Sequence, residues 1–325
     1  MRISLFLPHV GVFGGVRRYL ELGNEWSALG HAVELFHPGG EPPAWLPFAG
    51  HTRPLAEAAQ ATSDLAIAGD SVTYARFRNH VARHHLYYCV LEGDPGLAAA
   101  LGDPAVTLMA NSGPLRTSLT RRTRRRVLDG IGGIRPERFR PDATRRVASP
   151  LRVLVNGRRS RAKKGTDLVL RALARLEGRV PAFEVVLFDS LDPVTNRQDP
   201  RDGAPLPANA RFVLDPSQDE LVALYQSSHV FVAAERKAGW CNTALESLAS
   251  GCALVCTRSG TTDFARHGVN ALISRRHPWF LRRAIRKLLT EAALRERLAA
   301  AGPASAAPWA WPRLAQRILE QVTSL

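Results

Sequence analysis

Two segments of this 325-residue chain carry charge in patterns that suit phosphate chemistry. The first runs Asn156-Gly157-Arg158-Arg159-Ser160-Arg161-Ala162-Lys163-Lys164-Gly165, with five cations inside seven residues. A diphosphate needs fixed positive charge, for which Arg supplies a planar fork and Lys a point charge. The second runs Glu235-Arg236-Lys237-Ala238-Gly239-Trp240-Cys241-Asn242-Thr243-Ala244-Leu245-Glu246. It reads as a glycine turn opening a helix, whose first amides can hold an anion. Glu246 stands near the start of that helix, where a carboxylate can accept from two ribose hydroxyls. A third segment, 11–15, ends in Gly14-Gly15 and precedes another helix. It does not match G-x-G-x-x-G, so the dinucleotide fingerprint fails. Each segment also has an ordinary reading: a solvated basic loop, a helix glutamate favoured by the dipole, and a tight turn.

The elements that must position these segments form two α/β series. Residues 2–7, 32–36, 65–68, 87–91 and 106–110 are short β-rich apolar runs. Between the first two, Val16, Leu20, Trp26 and Leu29 have helical spacing over 16–29, and Gly30 ends the pattern. Such a βαβ unit predicts a parallel sheet covered by helices. Residues 121–126 are strongly basic, and Pro136, Pro141 and Pro150 follow, which predicts a linker. The second series has strands over 151–156, 183–188, 211–214, 230–233, 253–256 and 271–273. Its helices are 166–176, 217–225, 243–250 and 279–301, with a last helix over 311–323. Ser217 and Glu220 form a capping box at one start, and 189–206, rich in Asp, Pro and Arg, reads as a loop. The expected fold is two Rossmann-like doubly wound α/β domains facing a cleft. Open sheets of this kind take ligands beyond the carboxyl ends of their strands, where the charged segments fall.

Taken in order, the motifs resemble the retaining glycosyltransferases of family 4, which have the GT-B architecture. The resemblance rests on Gly14-Gly15, Gly30-His31, Asn111-Ser112 and the stretch from Gly133 to Phe139-Arg140-Pro141. It continues through Gly157-Arg158, Lys164-Gly165, Tyr225, the segment ending in Glu246, Ser250-Gly251, Gly260-Thr261-Thr262-Asp263 and the Trp311 tail. It implies an acceptor domain over 1–147 with the tail 311–325 packing back on it. A nucleotide-sugar-binding domain would cover 148–310. Arg158 and Lys164 would stabilise the departing diphosphate, and Glu246 would hold the ribose. Gly157, Gly239, Trp240, Cys241, Asn242 and Thr243 would cradle the donor, with Gly14 and Gly15 from the first domain. The reaction would retain the anomeric configuration and use no metal or cofactor. The acceptor would be a small molecule, a lipid or a glycan.

In two places the chain departs from the family. The family carries a glutamate eight residues before the one matched by Glu246, and here that position is Ala238. Glu235, three residues upstream, is the candidate to stand in. The family often has a His before an acidic-Pro pair in the first domain. Here the run is Leu91-Glu92-Gly93-Asp94-Pro95, and Asp94 is the candidate. The missing glutamate at Ala238 keeps open a non-catalytic glycosyltransferase-like protein that binds a partner, and another GT-B sugar-nucleotide enzyme is the second alternative.

Composition narrows the remaining classes. Hydrophobic residues make up 45% and charged residues 22%, as in a globular protein with sizeable cores. The net charge of +15 would suit nucleic acid, an anionic membrane surface or a phosphorylated substrate. Only four of the 44 basic residues are lysines, and three of these, Lys163, Lys164 and Lys237, lie in the two charged segments. The rest reads as an arginine-biased surface. No nucleic-acid module is present and aromatics are 7%, so nucleic acid is not an expected partner. The N-terminal apolar run is too short for a signal core, and the four cysteines form no CxxC pair. A cytoplasmic chain with reduced core thiols is expected, peripherally associated with an anionic membrane if the acceptor is a lipid.

Overall fold

A computed structural model describes residues 1–90, 92–145, 149–191, 198–202 and 205–325. The chain forms two compact units, Met1–Gly133 with Trp309–Leu325, and Ile134–Pro308. The expected boundary at 147/148 falls outside the described residues, as do Leu91 at the end of one predicted strand and much of the predicted loop 189–206.

The first unit is built on seven parallel strands. They are β1 (Arg2–Phe6), β2 (Ala32–His37), β3 (His51–Pro54), β4 (Thr62–Ala68), β5 (Val81–Cys89), β6 (Val106–Ala110) and β7 (Val127–Asp129), in the order β3-β2-β1-β4-β5-β6-β7. Helices α1 (Gly14–Ala28), α2 (Tyr74–Asn79), α3 (Pro95–Gly102) and α4 (Gly113–Thr123) connect them. Both sheet faces are covered, so β1 is buried from Ile3 to Phe6 rather than alternating, and β4 and β5 end in continuously buried runs, Leu65–Ala68 and Leu86–Cys89. One core gathers Ile3, Leu5, Leu20, Trp26 and Leu35. The other gathers Phe6, Phe36, Phe77, Tyr87 and Leu108.

The second unit has six parallel strands in the order β10-β9-β8-β11-β12-β13. They are β8 (Leu151–Asn156), β9 (Phe183–Asp189), β10 (Ala210–Leu214), β11 (Val230–Ala233), β12 (Ala253–Cys256) and β13 (Ala271–Ile273). Its helices are α5 (Thr166–Ala174), α6 (Gln218–Gln226), α7 (Asn242–Ala249), α8 (Pro278–Thr290) and α9 (Ala292–Ala306). The capping box at Ser217 and Glu220 is formed. Each unit is thus a doubly wound parallel α/β layer, as the βα alternation implies. All four cysteines are buried, and none forms a disulfide among the described residues. Among the described residues no helix is long and apolar enough to cross a membrane.

Three expectations need correction. The basic stretch 121–126 is not a linker: it is the end of α4, closed by Arg124 at φ 55, and the turn into β7. The single helix expected over 279–301 is two, because Glu291 takes φ −108 and ψ 87 and breaks α8 from α9. Edge strands β3 and β7 and helices α2, α3 and α4 carry too few periodic apolar residues to stand out, and were not expected.

The last helix, α10 (Trp311–Thr323), belongs to the first unit. Leu314, Ala315, Ile318 and Val322 complete the core beside α1, and the Trp26 indole N–H donates to the Ala315 carbonyl at 3.1 Å. Gly133 meets the tail at φ 122, where a Cβ would lie 2.3 Å from the Trp311 ring. Along the edge strand, Gln321 behaves as an extra rung. Its Oε1 accepts from the Asp129 N–H at 2.7 Å and its Nε2 donates to the Asp129 carbonyl at 3.0 Å. An open sheet edge needs such cover. Replacing Gln321 with Ala should therefore speed hydrogen exchange at the Asp129 amide about fivefold, the weight of one modest hydrogen bond. Exchange in β1 and β4 should stay unchanged, and NMR-detected exchange measures both.

Candidate functional site

The charged segment 157–165 leaves the carboxyl end of β8, whose neighbours in the sheet are β9 and β11. Gly157 is forced by space: its N–H donates to the Phe188 carbonyl at 2.7 Å, and a Cβ would lie 2.5 Å from the Phe212 ring. Arg158 follows and is only 8% exposed. Its Nε lies 3.1 Å from both carboxylate oxygens of Asp189, and its Nη2 is 3.0 Å from Oδ1. Asp189 is the last residue of β9, so this pair joins two strand ends. A guanidinium has five N–H donors, and Asp189 engages those on Nε and Nη2 alone.

Lys164 sits at the far end of the segment, and its ammonium donates to Glu235 Oε1 at 2.8 Å. Glu235 lies just beyond β11, is 8% exposed, and also accepts from the Cys241 thiol at 3.4 Å. Burial disfavours the charge on Lys164, yet Glu235 outweighs it and the ammonium titrates above an ordinary lysine. Lys163 has no such partner: burial first, then the charges of Arg161 and Lys164, pull it below the usual lysine value. An anion is the neighbour that would relieve this field. Gly165 lets the chain turn into α5 at φ 77, where a Cβ would lie 2.3 Å from the Ala234 carbonyl oxygen.

The second charged segment follows β11 and enters α7. Cys241 is buried, its N–H donates to the Gly260 carbonyl at 2.9 Å, and burial followed by Glu235 pushes its thiol far up in pKa. Thr243 Oγ1 is 3.5 Å from the Cys241 sulfur. The Asn242 Oδ1 atom, at the first position of α7, is buried without a hydrogen bond. The Trp240 ring is turned inward, edge-on to Phe264 at 5.1 Å. Gly239 is half-buried in the turn. Glu246, 5% exposed, accepts from the Tyr225 hydroxyl at 2.9 Å. Ala238 donates its N–H to Ser259 Oγ at 2.8 Å.

Arg158 and Lys164 thus share the segment leaving β8, and their carboxylates, Asp189 and Glu235, come from the ends of the neighbouring strands β9 and β11. Gly239, Trp240, Cys241, Asn242, Thr243 and Glu246 belong to the same unit, whereas Gly14, Gly15 and Asp94 lie in the first. Gly14 and Gly15 are the first two residues of α1. Asp94 caps α3: its Oδ1 accepts from the Gly96 N–H at 2.7 Å and from the Tyr87 hydroxyl at 3.3 Å. Among the described residues no three His, Cys, Asp or Glu side chains gather as metal ligands would.

Residues 142–305 match the family described as glycosyl transferases group 1. The chain belongs to that family. Solved structures agree on the fold. Sucrose-phosphate synthase from Thermosynechococcus elongatus superposes with a TM-score of 0.81 at 16% identity, covering 99% of this chain and 98% of that one. Anabaena HepE in complex with UDP and glucose gives 0.82 at 14% identity, with both chains covered completely. WaaG, a glycosyltransferase involved in lipopolysaccharide biosynthesis, gives 0.71 at 15%, covering 99% and 100%. No curated protein matches the sequence. At these identities the structures establish the GT-B fold of this group 1 family member.

Two partners of the site carry no local sequence signal. Asp189 is an ordinary strand end until Arg158 reaches it. Tyr225 lies 21 residues before the carboxylate it serves. In this family member, Tyr225→Phe should leave Glu246 short of a buried donor. Denaturant unfolding is expected to show a loss of about 1–3 kcal/mol.

Proposed function

We propose that this chain is a retaining, metal-independent glycosyltransferase of the family 4 type, moving a sugar from a nucleotide-diphosphate donor to an acceptor hydroxyl. The observation that carries the reading is the pair of cations in the segment leaving β8, each already oriented by a carboxylate from a neighbouring strand end. Arg158 is held by Asp189 and Lys164 by Glu235. A diphosphate would meet donors whose positions are set beforehand, and its leaving charge would be stabilised without reorganising the site. The field that depresses Lys163 favours the same anion. The UDP and UDP-glucose complexes of HepE, a protein of the same fold, support a nucleotide-sugar donor.

In this reading the donor phosphates take the free N–H groups of Arg158 and share Lys164 with Glu235. The first amides of α7 face the same charge. Glu246, buried near the start of α7 and held by the Tyr225 hydroxyl, holds the ribose. Glu235 supplies the carboxylate that Ala238 lacks, by holding the Lys164 ammonium beside the leaving group. Attack from the face that the diphosphate leaves retains the anomeric configuration.

A panel of UDP-, GDP- and TDP-sugars tests this by thermal shift and donor hydrolysis. At least one donor is expected to stabilise the chain and turn over, and silence across the panel would refute the reading. With that donor, Lys164→Ala should lower kcat about 100-fold or more, the usual weight of one preorganised electrostatic contact. The substitution also leaves the buried Glu235 carboxylate without its counter-charge, so the melting temperature should fall, and kcat is compared at a temperature where both chains are folded. Turnover in neither the natural chain nor Ala238→Glu, with nucleotide binding intact, would favour the non-catalytic alternative.

A further inference from the structure

Neither charged segment positions itself. The turn that presents Lys164 is a short stretch of loop, and Glu235 lies just past the end of β11. The two are fastened at three points besides their own ion pair. The Arg236 N–H donates to the Lys163 carbonyl at 2.8 Å. The other two come from a residue far off in sequence, Arg276, in the loop between β13 and α8. Its Nε donates to the Ala234 carbonyl at 2.8 Å, and its Nη2 donates to the Ala162 carbonyl at 2.6 Å.

Those two carbonyls are informative. Ala162 is two residues before Lys164 and opens the turn that carries it. Ala234 is the residue before Glu235, and its carbonyl is the oxygen that Gly165 approaches so closely. One planar guanidinium therefore bridges the backbone beneath the cation and the backbone beneath its carboxylate. Arg276 is half-buried, and burial followed by Arg236 lowers its pKa from the usual arginine value, although a guanidinium stays charged. Bringing a further cation into a crowded positive field is electrostatically unfavourable. A surface role would not require it, and a fork with two donors at a set spacing is what the two carbonyls use.

We propose that Arg276 is a positioning residue for the donor site: its guanidinium clamps the Lys164 turn to the end of β11 and so sets where the Lys164 ammonium stands. The inference rests on the proposed role of Lys164 at the diphosphate. It extends that role to a third loop, and nothing in the two charged motifs implies it. Arg276 does not touch the donor. It acts through Lys164, so its effect should disappear when Lys164 is gone.

A double-mutant cycle measures this. UDP, GDP and TDP binding are read by calorimetry on the full chain, and the tightest of the three is carried forward. Arg276→Ala in the natural background should weaken that nucleotide about tenfold. In the Lys164→Met background the same substitution should change it by less than about twofold, within the limits of additivity. Transfer kinetics with the active donor should show a fall in kcat larger than any rise in KM. Arg276→Lys keeps the charge but not the fork, and should recover part of the loss. It also serves where Arg276→Ala folds poorly, as judged by melting temperature. Equal losses in both backgrounds, no loss at all, or full recovery by Arg276→Lys would each overturn the clamp while leaving the glycosyltransferase reading intact. Failure of the natural chain to bind UDP, GDP and TDP alike would remove both.

Discussion

A charge taken out of water must find a counter-charge or it will not stay ionised. The charged site at the ends of β8, β9 and β11 is arranged around that requirement. Arg158 and Lys164 are both withdrawn from solvent, and each has a carboxylate supplied by a neighbouring strand end. The carboxylates do not cancel the site. The loops around them still carry Arg161, Lys163, Arg236 and Lys237 in excess. What Asp189 and Glu235 provide is direction, because a guanidinium or ammonium bonded to a strand end cannot swing away with its loop. Loss of either carboxylate would leave a half-buried cation without a partner, and the turn that carries it would be free to move.

Parallel topology makes this possible. Every strand of the second sheet points the same way, so β8, β9 and β11 deliver their next residues to one edge. Neighbours antiparallel to β8 would have sent Asp189 and Glu235 to the far end of the sheet from Arg158 and Lys164. The first unit has the same winding, and the same strand ends there carry a different content. Its first turn, at Gly14 and Gly15, is almost bare of side chains, and Asp94 is engaged in capping α3. Equivalent scaffolds thus present a dense set of charges in one unit and an open backbone in the other.

Much of this was legible in the residues. The strands at 230–233, 253–256 and 271–273 are unbroken apolar runs, and that at 151–156 is apolar but for Arg152 and Asn156; all stand where the pattern puts them. Glycines 157 and 165 stand where backbone must pass close to Phe212 and Ala234, and a glycine next to a strand end announces such a place. Other features had no local mark. β3 and β7 are edge strands with little to bury, so no periodicity betrays them. Arginine has a long apolar stem and is a good helix former, so the basic run after Thr120 could finish a helix while looking like a tether. The break at Glu291 lacks both glycine and proline. Arg276 and Asp189 matter through pairings that span 114 and 31 residues, and only the folded chain reveals them.

The tail helix has a further consequence for how the molecule is made. Because Trp311–Thr323 completes a core that begins at Ile3, the whole of the second unit is, in chain order, an insertion within the first. During synthesis the stretch Ile134–Pro308 has all its own strands before translation reaches α10, and it can fold while the earlier unit still waits. Through that interval the groove beside Trp26 stays open and the β7 edge stays unpaired. The unit translated first is the last to close, so a chain cut short between Pro308 and α10 would carry a complete second unit and an unfinished, aggregation-prone first one.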